Sequence, residues 1–129
     1  MTAHGAFHWN ELMTWNKKKA KDFYKKTLGW TFEDAPMGDG VTYTLVKSNG
    51  QMVAGMFEMT KGPMFNGTPE SWFAYIAVDN LDKRVKKLKE AGGKVLREPW
   101  DAPGVGRIAI VADSSGAAQG WMVPAPGSM

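Results

Sequence analysis

Hydrophobic and polar positions along this chain follow two periods in turn, and their order nearly repeats after about 64 residues. Phe7 to Met13 is rich in aromatic residues and alternates, which predicts a strand. Thr14 or Asn16 then offers a side-chain oxygen to the free backbone N–H groups that open a helix. In that helix Ala20, Phe23, Tyr24 and Leu28 recur at three- and four-residue intervals, which predicts a buried stripe. Gly29 ends it by taking the left-handed turn that a side chain resists. Trp30 to Glu33 is expected to be a short strand, Pro36 to Gly40 a turn and Val41 to Lys47 a strand. Asn49-Gly50 is the strongest hairpin signal in the sequence, so Gln51 to Glu58 is expected to return antiparallel.

Thr60 to Glu70 carries Gly62, Pro63, Gly67 and Pro69 and reads as a connection. Beyond it the plan recurs. Trp72 to Val78 is a predicted strand, Asp79 or Asn80 a cap, and Leu81, Val85 and Leu88 the buried stripe of a second helix that stops at Gly92-Gly93. Lys94 to Glu98, Arg107 to Ala112 and Ala118 to Val123 follow as strands. A loop is expected over Pro99 to Gly106 and a turn at Asp113-Ser114-Ser115-Gly116. In the near-repeat Trp9 maps onto Phe73, Asn16 onto Asn80, Gly29 onto Gly93, Gly40 onto Gly104 and Tyr43 onto Arg107. The predicted class is α+β, with two βαβββ units forming a cupped mixed sheet. A single domain over 1–129 is expected, with unit one at about 6–59, the linker at about 60–70 and unit two at about 71–124.

Length and composition narrow the function classes. At 129 residues with 43% hydrophobic and 22% charged residues, the chain has the make-up of an ordinary globular protein. It has no cysteine, which excludes disulfides, thiolate zinc sites and thiol nucleophiles. No apolar run reaches membrane-span length, so no membrane partner is expected. Met1 to Ala6 lacks the pattern of a signal peptide, so a cytoplasmic location is expected. The net charge of +3 comes with lysine clusters at 17–26 and 83–89. Both clusters fall on the polar faces of predicted amphipathic helices, and no phosphate loop, zinc finger or RNA-binding aromatic box accompanies them. Nucleic acid is therefore not an expected partner.

Phe23-Tyr24 with Leu28-Gly29-Trp30, Ala77-Val78-Asp79-Asn80, and Gly106-Arg107 leading to the Asp113 turn span nearly the whole chain. Together they resemble the vicinal oxygen chelate superfamily, which includes glyoxalase I, extradiol dioxygenases and bleomycin-resistance proteins. Trp9-Asn10-Glu11-Leu12 resembles the first strand of its glyoxalase-like branch. A bacterial source is expected along with the cytoplasmic location; the resemblance itself implies a homodimer and one divalent metal, held by His and Glu side chains from four strands. Those positions map to Trp9, Gly55, Phe73 and Gly120, and none of these side chains donates an electron pair to a metal. No metal and no cofactor are therefore expected. His4 and His8 share one face of an extended segment, but they read as edge or solvated histidines.

The same mapping points to the residues lining a cavity between the units. Period-2 alternation puts Phe7, Trp9 and Glu11 on one face of the first strand. Phe73, Tyr75 and Ala77 share the corresponding face of the fifth strand, and Ala118, Gly120 and Met122 that of the last. Gly55 and Gly120 are expected to leave space there. Glu11 is the candidate catalytic residue, since a carboxylate on an aromatic face is partly desolvated and suited to acid–base chemistry. The competing reading is a structural carboxylate satisfied by a backbone N–H or by Arg107. Trp9, Glu11, Tyr43, Phe73, Tyr75, Arg107 and Met122 form the candidate ligand-binding set. Trp30, Trp100 and Trp121 read as packing residues, and Asp39, Asp101 and Asp113 as turn residues. The expected function is metal-independent binding of an aromatic or hydrophobic small molecule. The alternative is a lyase, isomerase or dioxygenase-type enzyme using Glu11 as acid/base or an unrecognised metal site.

Overall fold

The computed structural model describes residues 3–38, 41–63 and 65–126, and its chain divides into two units. One unit is Trp9–Trp72, and the other is Met1–His8 with Phe73–Met129. The division follows hydrogen bonds. Gly5 N–H donates to the Ala77 carbonyl at 2.7 Å and Ala77 N–H to the Ala6 carbonyl at 2.9 Å, so the N-terminal residues go with the later unit. The 60–70 connection goes with the earlier one. There Trp15 Nε1 donates to the Thr68 carbonyl at 2.8 Å and Thr14 Oγ1 donates to Glu70 Oε1 at 2.8 Å.

In the first unit, strand β1 (Phe7–Thr14) leads to helix α1 (Lys17–Leu28). Asn16 caps the helix, accepting from Lys19 N–H at 3.0 Å, and Gly29 closes it at φ 71°. Strands β2 (Thr31–Gly38), β3 (Val41–Ser48) and β4 (Gln51–Glu58) complete the unit. The β3–β4 hairpin turns at Asn49 and Gly50, with φ of 52° and 77°. Positive φ at both residues matches the right-handed twist of the flanking strands. β2 pairs antiparallel with β3, β3 antiparallel with β4, and β4 parallel with β1. Leu12, Val46, Ala54 and Met56 form the core on the α1 side.

Two expectations for this unit change. β2 continues through the predicted turn to Gly38, with its register shifting after Pro36; proline is tolerated in a strand where such a bulge relieves the ladder. Asp39 and Gly40 lie outside the described residues. In α1, Ala20 and Tyr24 pack on the core, but Phe23 and Leu28 are 57% and 58% exposed. Phe23 is rotated by one residue, about 100°, from Tyr24 and leaves the inward face, while Leu28 is the helix's last residue.

The second unit repeats the topology. β5 (Ser71–Ala77), α2 (Leu81–Glu90), β6 (Lys94–Ala102), β7 (Gly106–Ala112) and β8 (Ala118–Pro124) follow in order. β6 pairs antiparallel with β7, β7 antiparallel with β8, and β8 parallel with β5. Asn80 caps α2, and Leu81, Val85 and Leu88 bury against Val78, Ala109 and Val111 as their spacing predicts. The expected Pro99 to Gly106 loop is shorter, because β6 runs on to Ala102 through register shifts on either side of Arg97.

Candidate functional site

Alternation along β1 places Leu12 and Thr14 in the interior, so Trp9, Glu11 and Met13 occupy the opposite face. The ladders extend that face. Glu11 is the register partner of Gly55 on β4, and Gly55 that of Leu45 on β3, which brings Tyr43 onto the same side. Trp9 Nε1 donates to Tyr43 Oη at 3.1 Å. The Tyr43 phenol lies directly over Gly55, and a Cβ built there would collide with its Oη and Cζ. The space expected above this glycine is therefore filled. A residue without a side chain leaves a gap that a cross-strand aromatic ring covers. Trp9, Glu11 and Tyr43 are all half-buried. A carboxyl and a phenol, both able to carry a proton, thus share one half-buried face, their strands separated by β4.

The second unit has a matching face. Tyr75 is the register partner of Gly120, and its ring covers that glycine, with Cγ 3.1 Å from the built Cβ. Phe73 meets Tyr75 edge-on with centroids 5.3 Å apart. Met122, partner of Ala77 and Ile108, is 4% exposed and forms the floor of this face. By ladder position Tyr75 is the counterpart of Glu11, as the 64-residue offset predicts. The offset then grows by one. Gly55 is opposite Leu45, and Gly120 is opposite Ile110, so the counterpart of Tyr43 is Ile108 and not Arg107.

That one-residue slip turns Arg107 to the other side of β7, with Ala109 and Val111 under α2. Its Nε and Nη2 donate to Asp82 at 3.1 and 3.0 Å, and Nη1 donates to Asp101 at 3.2 Å. The guanidinium is engaged by carboxylates of its own unit and stands apart from Tyr75 and Gly120. Asp101, read as a turn residue, lies in β6 as one of these partners. Asp113 does shape a turn, accepting from Ser115 and Ala117 N–H at 2.9 and 3.0 Å. Trp30 and Trp121 pack on the two cores, and Trp100 lies under Arg97 with 3.6 Å from guanidinium to ring centroid.

Four carboxyls are held below their ordinary value of 3.8. Hydrogen bonds lower Asp34 (from Thr44, then Lys21), Asp79 (from Arg84), Asp82 (from Arg107) and Asp113 (from backbone N–H groups). A depressed folded value means the stabilisation is complete above the unfolded value and is lost as pH falls through the folded one. The melting temperature is therefore expected to hold from pH 7 to about 5 and to decline below about 4. Arg107→Gln should flatten part of that acid decline. A melting temperature that does not change between pH 6 and 2 would contradict the assignment.

Sequence reasoning missed one contact on the first face. Phe57, the partner of Met13, packs on Phe65 of the connecting segment at 5.6 Å. Counting by two from Gly55 reaches Phe57, but nothing in the Gly/Pro-rich connection marks Phe65 as its partner. His4 Nδ1 accepts from Asp79 N–H at 3.0 Å, so that lone pair is engaged. Among the described residues no three His, Cys, Asp or Glu side chains gather as a metal group, and no helix is long and apolar enough to cross a membrane.

Two βαβββ units of identical topology, each built on a four-stranded ladder with one helix, define the fold class. Residues 7–118 match the family model of the Glyoxalase/Bleomycin resistance protein/Dioxygenase superfamily, and the chain belongs to that superfamily. It is 37% identical over 122 residues to the Mycobacterium bovis protein named "Putative glyoxylase CFP32", a match covering 95% of this chain and 45% of that one. It is 33% identical over 126 residues to the anthracycline biosynthesis protein DnrV of Streptomyces peucetius, covering 90% of this chain and 46% of that one. The chain thus spans about half the length of the curated relatives it matches. Among solved structures, hypothetical protein BH1468 of Bacillus halodurans C-125 superposes with a TM-score of 0.70 at 14% identity, covering 98% of this chain and 99% of that one. Methylmalonyl-CoA epimerase of Mycobacterium tuberculosis superposes with a TM-score of 0.65 at 16% identity, covering 98% and 94%. These two share the fold. The His and Glu set that the superfamily implies does not fit the residues here. The resemblance maps that set to Trp9, Gly55, Phe73 and Gly120, and Tyr43 and Tyr75 fill the space over the two glycines.

Proposed function

We propose that this protein binds an aromatic or hydrophobic small molecule without a metal, as a homodimer, using the half-buried faces around Gly55 and Gly120. The observation that carries the reading is the tyrosine ring over each glycine, where a metal ligand would otherwise project. Trp9 and Tyr43 supply flat apolar surface, and Glu11 supplies a hydrogen-bonding or charge-pairing group beside them. Phe73, Tyr75 and Met122 supply the corresponding surface of the second unit. Arg107, engaged by Asp82 and Asp101, is left out of the set. One relative is named for anthracycline biosynthesis, which makes planar polycyclic quinones the first ligand class to try.

A second reading rests on Glu11 and Tyr43 sharing one face. A carboxylate paired with a phenol is a proton-transfer set, so the same surface is suited to an acid–base reaction on its ligand.

The test is titration of the metal-stripped protein with an anthracycline, following quenching of tryptophan fluorescence. Saturable quenching is expected, weakened about tenfold or more by Tyr43→Phe or Glu11→Gln, roughly the cost of one hydrogen bond to a charged group. Added Ni²⁺, Zn²⁺ or Fe²⁺ should leave the curve unchanged. Stoichiometric metal in the purified protein, or binding that requires metal, would overturn the metal-free reading. Turnover of a quinone or carbonyl panel that Glu11→Gln abolishes would favour the acid–base one.

A further inference from the structure

β2 is the outer strand of its ladder, paired with β3 on one edge and with no strand on the other among the described residues. Its pairing is regular over residues 31–36, and only then does the register shift. β6, the outer strand of the second unit, is instead broken by shifts on both sides of Arg97. Bulges of that kind guard an edge against further pairing, and β2 has none over residues 31–35. α1 lies beside this open edge and is strongly basic. It carries six lysines against one aspartate, a surplus larger than the whole chain's net charge of +3, so the remainder of the chain is net acidic. Its first turn holds no acid, although the backbone dipole disfavours cations there, whereas α2 has Asp82 at that place. Lys26 pairs with Asp22 at 3.1 Å, Lys21 pairs with Asp34 on β2 at 3.2 Å, and Lys17 Nζ donates to the Thr42 carbonyl. The ammonium groups of Lys18 and Lys25 have no partner among the described residues. Lys18, Lys21 and Lys25 recur at three- and four-residue steps and so form one stripe. With Phe32 of β2 they help to line a groove of about 760 Å³ between helix and strand.

We propose that this groove docks an acidic, extended segment of a partner protein, which adds as a strand beside β2 with its carboxylates on Lys18 and Lys25. The open edge of β2 supplies N–H and C=O groups for main-chain hydrogen bonds, the usual source of affinity when a peptide extends a sheet. Alternate side chains of the added strand then project on the α1 side. Every second residue meets the lysine stripe, so the recognised pattern is an acid at alternate positions. Lysines three and four apart repel one another along a helix, and bound carboxylates relieve that repulsion. A second copy fits this edge badly, because pairing β2 with β2 about a two-fold axis brings two lysine-rich helices together. A nucleic acid answers the charge but offers no alternating rail of N–H and C=O groups to the strand. The groove is separate from the small-molecule surface. Phe32 is the partner of Val46 and packs on the α1-side core, whereas Tyr43 lies on the other face.

The probe is a fluorescein-labelled peptide of alternating glutamate and valine, followed by fluorescence anisotropy. Saturable binding is expected, weaker as salt is raised and about tenfold or more weaker with Lys18→Glu/Lys25→Glu. Both lysines are exposed, so the melting temperature should be retained, as should anthracycline quenching at the Tyr43 face. The same peptide N-methylated at every residue keeps its charge but loses its donors, and it should not bind. Amide exchange over residues 31–35 should slow when the unmodified peptide is added, with β6 unchanged. Absence of binding, equal binding of the N-methylated peptide, or protection confined to strands other than β2 would overturn the proposal. Two further results would also overturn it. Tighter binding of a single-stranded oligothymidylate assigns the lysines to a nucleic acid, and β2 protection on concentrating the protein alone assigns the edge to a second copy.

Discussion

Gly55→Ala is expected to weaken folding by about 1–3 kcal/mol, the usual cost of forcing an extra methyl into an occupied site. It should also lower affinity for a planar ligand by about tenfold or more, through loss of the placed phenol and its hydrogen bond. The added Cβ meets Oη, Cζ and Cε2 of Tyr43, all at the far end of a rotatable side chain. The ring therefore yields and the backbone stays. As it swings away it gives up the 3.1 Å bond from Trp9 Nε1, and Trp9 loses its fixed orientation beside Glu11. The expected signature is a shifted Trp9 indole N–H resonance with the rest of the spectrum retained. Removing the ring should remove the conflict, so Gly55→Ala should cost far less in a Tyr43→Ala background. Equal destabilisation in both backgrounds would show that Tyr43 is not what occupies the space.

That position also marks where sequence reasoning reached its limit. Alternation alone put Trp9 and Glu11 on one face, and the burial of Leu12 and Thr14 on the other side agrees; Gly55 came from the resemblance, and its pairing with Glu11 from the structure. What alternation does not carry is the volume of neighbours on other strands. Tyr43 is 12 residues from Gly55 in sequence, and only the β3–β4 register, with its shift after Val46, brings the phenol over the glycine. Arg107 failed for a related reason. A constant 64-residue offset pairs it with Tyr43, but one extra residue ahead of β7 reverses the face, because side chains alternate at every step. The capped helices were readable because caps, stripes and closing glycines are local. Pro36 and Pro99 were misread as loop signals because each sits near a register shift in a strand, a context invisible without the partner strand. The outward turn of Phe23 was equally hidden, since an apolar side chain on a helix does not reveal what covers it.

Gly106→Ala is expected to be the more damaging glycine substitution, at about 3–5 kcal/mol, summing backbone strain and steric overlap. Gly106 has φ 143°, a conformation L residues rarely adopt. A Cβ there collides with the Val123 carbonyl oxygen and lies 3.0 Å from both Ala125 N and Pro124 Cα. These are backbone atoms, so no rotamer change relieves the overlap, in contrast to Tyr43 over Gly55. Relief requires β7 and β8 to separate at the Gly106–Pro124 pair. It would also disturb the 2.9 Å bond from Ala125 N–H to the Val105 carbonyl. Gly104 separates the two causes. It has φ 75° but nothing within 4 Å of a built Cβ, so Gly104→Ala carries the strain alone, about 1–2 kcal/mol. In denaturant titrations the Gly106 variant should lose its midpoint first, with a melting temperature roughly 10–20 °C below the parent. Equal midpoints for the two variants would mean that the close approach of β8 is not what holds a glycine at 106.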